Sequence, residues 1–162
     1  MHPDTDQASN RYRFAIQSPA DGVLQPLSQH PRAAIQRLAG LGFCLQATSH
    51  YLLSPCAGTT SVHFLPHPCI RVRHNSGLQV RVDLPLAWLE RLGVGLRWQL
   101  NEYAVAAGQL LLEIDPGYLS SKPVISVAVF PHPAVRAEPQ HFGQTVLAKE
   151  PCFFIQMTGN NP

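Results

Sequence analysis

Apolar and polar positions alternate along this chain over short distances, and fifteen prolines and eleven glycines cut it into short runs. Period-two alternation marks a strand with one buried face, whereas a helix needs apolar positions three and four apart. The stretch from Gly77 to Leu86, GLQVRVDLPL, shows it clearly. Leu78, Val80, Val82 and Leu84 fall on one face, Gln79, Arg81 and Asp83 on the other, and Pro85 closes the run. The same criterion predicts strands at RFAIQS, GVLQPL, GFCLQA, YLLSP, TTSVHF, CIRVRH, LRWQL, LLLEID, VISVAVF, QTVLAK and CFFIQM. Helical spacing is confined to Pro31 to Ala39 (PRAAIQRLA) and Leu86 to Leu92 (LAWLERL). The expected fold class is therefore all-β: a single antiparallel β-sandwich or barrel of many short strands with one or two short helical turns. Residues 1–11 are expected to form a disordered lead, 12–158 one β domain and 159–162 a frayed end.

Composition narrows the function classes. Apolar residues make up 45% of the 162 and charged residues 14%, which suits a core-forming globular chain. A formal charge of +2, with scattered Lys and Arg, gives no basic surface for nucleic acid or membrane. The N-terminus lacks the basic start and apolar run of a signal peptide, and no apolar stretch approaches the roughly 20 residues that span a bilayer. The expected location is the cytoplasm, peripheral to a membrane at most.

Four cysteines (Cys44, Cys56, Cys69, Cys152) form no C-x-x-C pair and read as reduced, buried thiols. His67 and Cys69 have the spacing of a shared strand face, but Pro68 between them argues for an edge or turn, and neither metal nor cofactor is expected. His2, His30, His67 and His132 each precede a proline and read as loop residues. GLG at 40–42 lacks the third glycine of a dinucleotide loop, and no P-loop, H-E-x-x-H or G-x-S-x-G occurs.

One element occurs twice: SPADG at 18–22 and SPCAG at 54–58 share S-P-x-x-G, and each reads as a strand entering a tight turn. Its copies belong to an ordered series: S-P-x-x-G-V (18–23), G-x-G-F-x-L (40–45), S-P-x-x-G-T (54–59), S-G-L-Q-V-x-V (76–82), A-A-G-Q-x-L-L-E-I-D (106–115), K-P-V-I-S (122–126) and G-Q-T-V with a closing apolar strand (143–155). Over nearly the whole chain this series resembles the glucose-type enzyme IIA domain of the bacterial phosphoenolpyruvate sugar phosphotransferase system. The resemblance implies a duplicated-hybrid-motif sandwich. It also implies a shallow face that takes a phosphoryl group from the histidine phosphocarrier protein and passes it to the IIB domain of a sugar permease. Two histidines on neighbouring strands do this work in the family, one carrying the group and one bonding the phosphate.

Both histidine positions depart from the family. The resemblance puts Asp83 at the phospho-acceptor position, with Pro85 in place of a glycine and Arg81 in place of an apolar residue. It puts Pro68 at the second histidine, with His67 one residue early and usable only if a bulge restores its direction. An aspartate can carry phosphate, but such sites normally add carboxylates that hold Mg²⁺ and a lysine. The expectation is accordingly an enzyme IIA-like monomer, degenerate in phosphotransfer, that binds a protein partner through a face including Phe64, Arg81 and Leu84. Asp83 is then a solvated strand residue paired with an arginine, and Arg71 and Arg73 line the neighbouring strand beside Arg81. The alternatives are an active phosphocarrier using Asp83 or His67, and a small metal-binding protein using His67, Asp83 and a borrowed ligand.

Overall fold

The computed structural model describes residues 11–30, 32, 35, 39, 41–64, 67–85, 88, 95–99, 104–115, 123–130, 135–137 and 142–158. The strands are β1 (Arg11–Gln17), β2 (Gly22–Pro26), β3 (Leu41–Ala47), β4 (Tyr51–Leu53), β5 (Gly58–His63), β6 (Cys69–Arg73), β7 (Gln79–Asp83), β8 (Leu96–Trp98), β9 (Ala104–Val105), β10 (Leu110–Ile114), β11 (Val124–Val129), β12 (Val135–Ala137), β13 (Thr145–Val146) and β14 (Pro151–Thr158). All twelve predicted strands are present, and the fold is all-β and antiparallel as expected. The two- and three-residue strands β9 and β12, and a 3₁₀ turn at Leu27–Gln29, were not expected. Most of the two predicted helical segments lies outside the described residues. Within them, Ile35 and Trp88 are helical: Ala39 N–H donates to Ile35 C=O at 2.9 Å, Ile35 N–H to Arg32 C=O at 3.1 Å and Trp88 N–H to Pro85 C=O at 3.1 Å. Among the described residues no helix is long and apolar enough to cross a membrane.

An eight-stranded sheet in the order β13-β2-β3-β11-β7-β6-β5-β9 packs against two three-stranded sheets, β1-β14-β12 and β4-β10-β8. The strand order is palindromic. From the outer edges inward, β13-β2-β3-β11 matches β9-β5-β6-β7, and the smaller sheets match each other strand for strand. Alternation fills the space between the layers: Phe43, Leu45, Ile70, Val72, Val80, Val82, Ile125 and Val127 point inward from the large sheet, and Ile16, Leu52, Leu111, Leu112, Phe153 and Ile155 meet them from the small ones. Phe43 and Phe153 pack edge to face at 6.2 Å between ring centres across that seam.

The S-P-x-x-G copies are where the halves lock. Gln17 N–H donates to Pro55 C=O at 2.9 Å, and its counterpart Leu53 N–H donates to Pro19 C=O at 2.7 Å. Each serine is fully buried and its hydroxyl donates to the carbonyl two residues on, Ser18 to Ala20 at 2.6 Å and Ser54 to Cys56 at 2.7 Å. The prolines have no N–H to leave orphaned in this crossing. The glycines permit the approach of the next strand. A Cβ on Gly22 would sit 2.3 Å from the Gln46 carbonyl oxygen, and one on Gly58 would sit 2.3 Å from that of Arg73.

Gly58→Ala should therefore cost about 3 kcal/mol of stability by forcing two strands apart. Gly77→Ala, at a turn where a Cβ meets nothing within 4 Å but φ is +91°, should cost about 1 kcal/mol. Urea unfolding of the two variants checks the order; an equal loss would contradict the close-approach argument.

Candidate functional site

On its outer face, the large sheet carries one continuous row of residues. Gln25 pairs with Cys44, Cys44 with Ser126, Ser126 with Asp83, Asp83 with Cys69 and Cys69 with His63, across β2, β3, β11, β7, β6 and β5. Asp83 stands near the middle, at the end of β7. It is not solvated, contrary to the expectation from alternation: Asp83 and Arg81 are each 8% exposed. The cover comes from the β2–β3 connection, whose 3₁₀ turn packs on β3 and β11 and whose next residue, His30, is 3% exposed.

The buried carboxylate is saturated with donors. Arg81 Nε donates to Asp83 Oδ1 at 2.9 Å and Oδ2 at 3.1 Å, and a terminal guanidinium nitrogen reaches Oδ1 at 2.9 Å. His30 Nε2 lies 3.1 Å from Oδ2. The Arg32 backbone N–H donates to His30 Nδ1 at 2.9 Å, which assigns the ring proton to Nε2 and makes His30 the donor to Asp83. Burial pushes the Asp83 carboxyl pKa up, but the bonds from His30 and Arg81 and the arginine's charge outweigh it, so the group lies below its ordinary value.

His30 had read as a loop residue; it is instead a buried partner of Asp83. Arg81 does not join an exposed arginine set. Arg71 pairs opposite it on β6 and faces solvent, as does Arg73, while Arg81 folds back onto Asp83.

A cavity of about 220 Å³ opens beside this cluster, lined by His30, Arg32, His67, Asp83, Leu84, Pro85, Val124 and Ser126. His67 thus reaches the Asp83 face, and the β6–β7 ladder runs without a register shift from Arg73 to Cys69. Leu84 N–H extends the pairing to Pro68 C=O at 3.0 Å. Cys69 and Arg71 face outward, and two residues back along the same alternation comes His67, while Pro68 is buried. No bulge is required. His67 makes no hydrogen bond to Asp83, which His30 and Arg81 hold. Leu84 walls the cavity and is 7% exposed, whereas Phe64, 49% exposed, packs edge to face on Trp98 at 6.0 Å and does not line it.

The other candidates fall elsewhere. His63 bonds Ser61 at 3.1 Å, and His74 accepts the Ser76 N–H at 3.1 Å in the turn before β7. Cys44, Cys56, Cys69 and Cys152 are free, the first three buried. Burial raises all four thiol pKa values, those of Cys56 and Cys152 to about 12, so none is an activated nucleophile. Among the described residues no group of three or more His, Cys, Asp or Glu side chains is arranged to hold a metal ion.

Against known proteins, the chain matches no family model and no curated sequence. Among solved structures it is similar to the glucose permease IIA of Mycoplasma capricolum, with a TM-score of 0.73 over 88% of this chain and 96% of that one. The fold is shared. Sequence identity is 16%, so the likeness establishes the architecture and leaves the chemistry to the residues themselves.

Asp83→Asn should destabilise the protein by about 3 kcal/mol, because it strands the buried Arg81 charge. Pairing a leucine at Asp83 with Arg81→Met should recover much of that loss. With its native pKa lowered, Asp83 contributes fully above the ordinary carboxylate value of 3.8 and loses that contribution as pH falls through the lower native value. Stability profiles measured between neutral and acid pH should show this portion of the acid limb in the wild type and not in Asp83→Asn.

Proposed function

We propose that this protein is an enzyme IIA-like scaffold that does not carry phosphoryl groups and acts as a protein-binding or regulatory relative of the sugar phosphotransferase components. The observation behind this reading is the saturated carboxylate of Asp83. A phospho-acceptor needs a lone pair aimed at phosphorus and free cations nearby to take up the charge that arrives. Both Asp83 oxygens accept bonds from Arg81 and His30, and the Arg81 charge is spent on the carboxylate itself. His30 has its Nδ1 lone pair taken by the Arg32 N–H and so is not a substitute nucleophile.

The binding face is the outer surface around the 220 Å³ cavity, where Leu84, Pro85 and Val124 give an apolar rim and His67 and Arg32 bring polar groups. Val124 is 38% exposed, and such a mixture suits one inserted side chain of a protein partner. The candidate partners are the histidine phosphocarrier protein and a permease IIB domain, bound without group transfer. The same His67 and Arg32 support the second reading, an active phosphocarrier, since they lie where a phosphoryl group on Asp83 would need donors.

Incubation with labelled phosphoenolpyruvate, enzyme I and the histidine phosphocarrier, beside an authentic enzyme IIA, separates the two. The expected result is no stable label on the wild type, Asp83→Asn or His67→Ala. Hydroxylamine-sensitive label that disappears in Asp83→Asn would establish an aspartyl phosphocarrier instead. Label lost only in His67→Ala would assign transfer to that imidazole.

A further inference from the structure

The palindromic fold supplies its own control for finding specialised residues. The Ser18 element meets the turn at 147–150, where Lys149 N–H donates to Ser18 C=O at 3.0 Å and Ser18 N–H to Glu150 C=O at 2.8 Å. The Ser54 element meets the matching turn, where Gly108 N–H donates to Ser54 C=O at 2.8 Å and Ser54 N–H to Gln109 C=O at 2.9 Å. Lys149 and Gly108 are therefore equivalent positions, and both have left-handed backbone, with φ of 73° and 78°. Glycine takes this conformation freely and lysine does not. Among the described residues, Lys149 alone is a non-glycine with positive φ.

The lysine's surroundings differ from its counterpart's in a coordinated way. The Lys149 stem lies over Gly108, where an added Cβ would sit 3.3 Å from its Cγ, so the missing side chain of one turn makes room for the other. Asp21, whose equivalent in the second S-P-x-x-G element is Ala57, accepts the Ala148 N–H at 2.7 Å and the Tyr51 hydroxyl at 3.4 Å. One carboxylate thus ties the lysine's turn to β4. Tyr51, Gly108, Ala148 and Lys149 line a groove of about 780 Å³ on the small sheet β4-β10-β8, together with the apolar Leu53, Leu110 and Ile114. Arg97 and His50 lie on its rim with Lys149. Arg97 is shared with Glu113 at 3.6 Å, whereas the Lys149 ammonium has no ion-pair partner among the described residues.

We propose that this groove binds a small organic anion, its charged end held by Lys149 and its apolar body lying on Leu53, Leu110 and Ile114. An apolar floor beside a lysine with no ion-pair partner among the described residues is the complement of such a molecule, and backbone strain at a residue of this kind is retained where the side chain is needed. The groove belongs to the layer opposite the Asp83 face and does not depend on the role proposed for that face.

Titration calorimetry with 4-phenylbutyrate and phenyl phosphate, and with 4-phenylbutanol as the uncharged control, tests it. Both anions should bind saturably, the alcohol weakly, and the tighter anion identifies the headgroup as carboxylate or phosphate. Lys149→Gly should raise the melting temperature by relieving the backbone while weakening anion binding by about fivefold, the scale of one lost exposed ion pair. Arg97→Gln should have a smaller effect on binding and no such rise. Absence of saturable anion binding, equal binding of the alcohol, or unchanged affinity in Lys149→Gly would each overturn the proposal.

Discussion

The crossing of the two S-P-x-x-G segments is the constraint on which the rest of the fold depends. Two exchanged backbone bonds, Gln17 to Pro55 and Leu53 to Pro19, join segments that belong to different halves of the molecule. Only one half is continuous in sequence: β4 to β10 form one motif, inserted between β3 and β11 of the other. The crossing ties the insertion to its host, and the glycines that follow let β2 and β5 approach their neighbours closely enough to seed the large sheet. Proline, buried serine and glycine each answer a separate demand there: no orphan N–H, an internal acceptor, and no Cβ.

From that frame follows the position of the charged cluster. The two inner strands, β7 and β11, lie at the centre of the palindrome, and the β2–β3 and β5–β6 connections both converge on them. His30 comes from the first connection and His67 from the second. The Asp83 end of β7's outer face is thus covered from both halves, while Gln79 at the other end stays exposed, and an aspartate under that cover must be compensated. Arg81, two residues away on the same strand face, supplies the charge, and His30, its Nδ1 held by the Arg32 N–H, supplies a donor from Nε2. Loss of either bond would leave a charge in a site that is nearly closed to water.

Strand positions were legible because alternation is a local property, readable within six or eight residues. The two strands that escaped, Ala104–Val105 and Val135–Ala137, are too short for alternation to register. The burial of Asp83 was not legible, because alternation says which residues share a face and not what covers it. Its cover, His30, is 53 residues away and sits in a Q-H-P segment with every local mark of a loop. The orientation of His67 was legible by a different count. The resemblance put the second histidine position at Pro68, yet the run C-I-R-V-R, with both arginines outward, already places His67 on the Asp83 face when followed back by twos. Counting along the strand that holds a residue is safer than counting across a connection whose length is free to vary.

In a duplicated fold, the places where the halves disagree are the places where the architecture imposes least. Carried through the duplication, the strand registers make Ala128 of β11 the equivalent of Asp83 and Ser126 the equivalent of Arg81, so the ion pair exists in one half only. Asp21 against Ala57 and Lys149 against Gly108 are disagreements of the same kind in the other layer. Since alanine, serine and glycine satisfy the backbone at the equivalent positions, folding alone does not require the charged residues. Each brings a cost, a buried ion pair in one case and a left-handed lysine in the other. Their shared feature is that each projects a charge beside a cavity, and that is the reason to look for function at both.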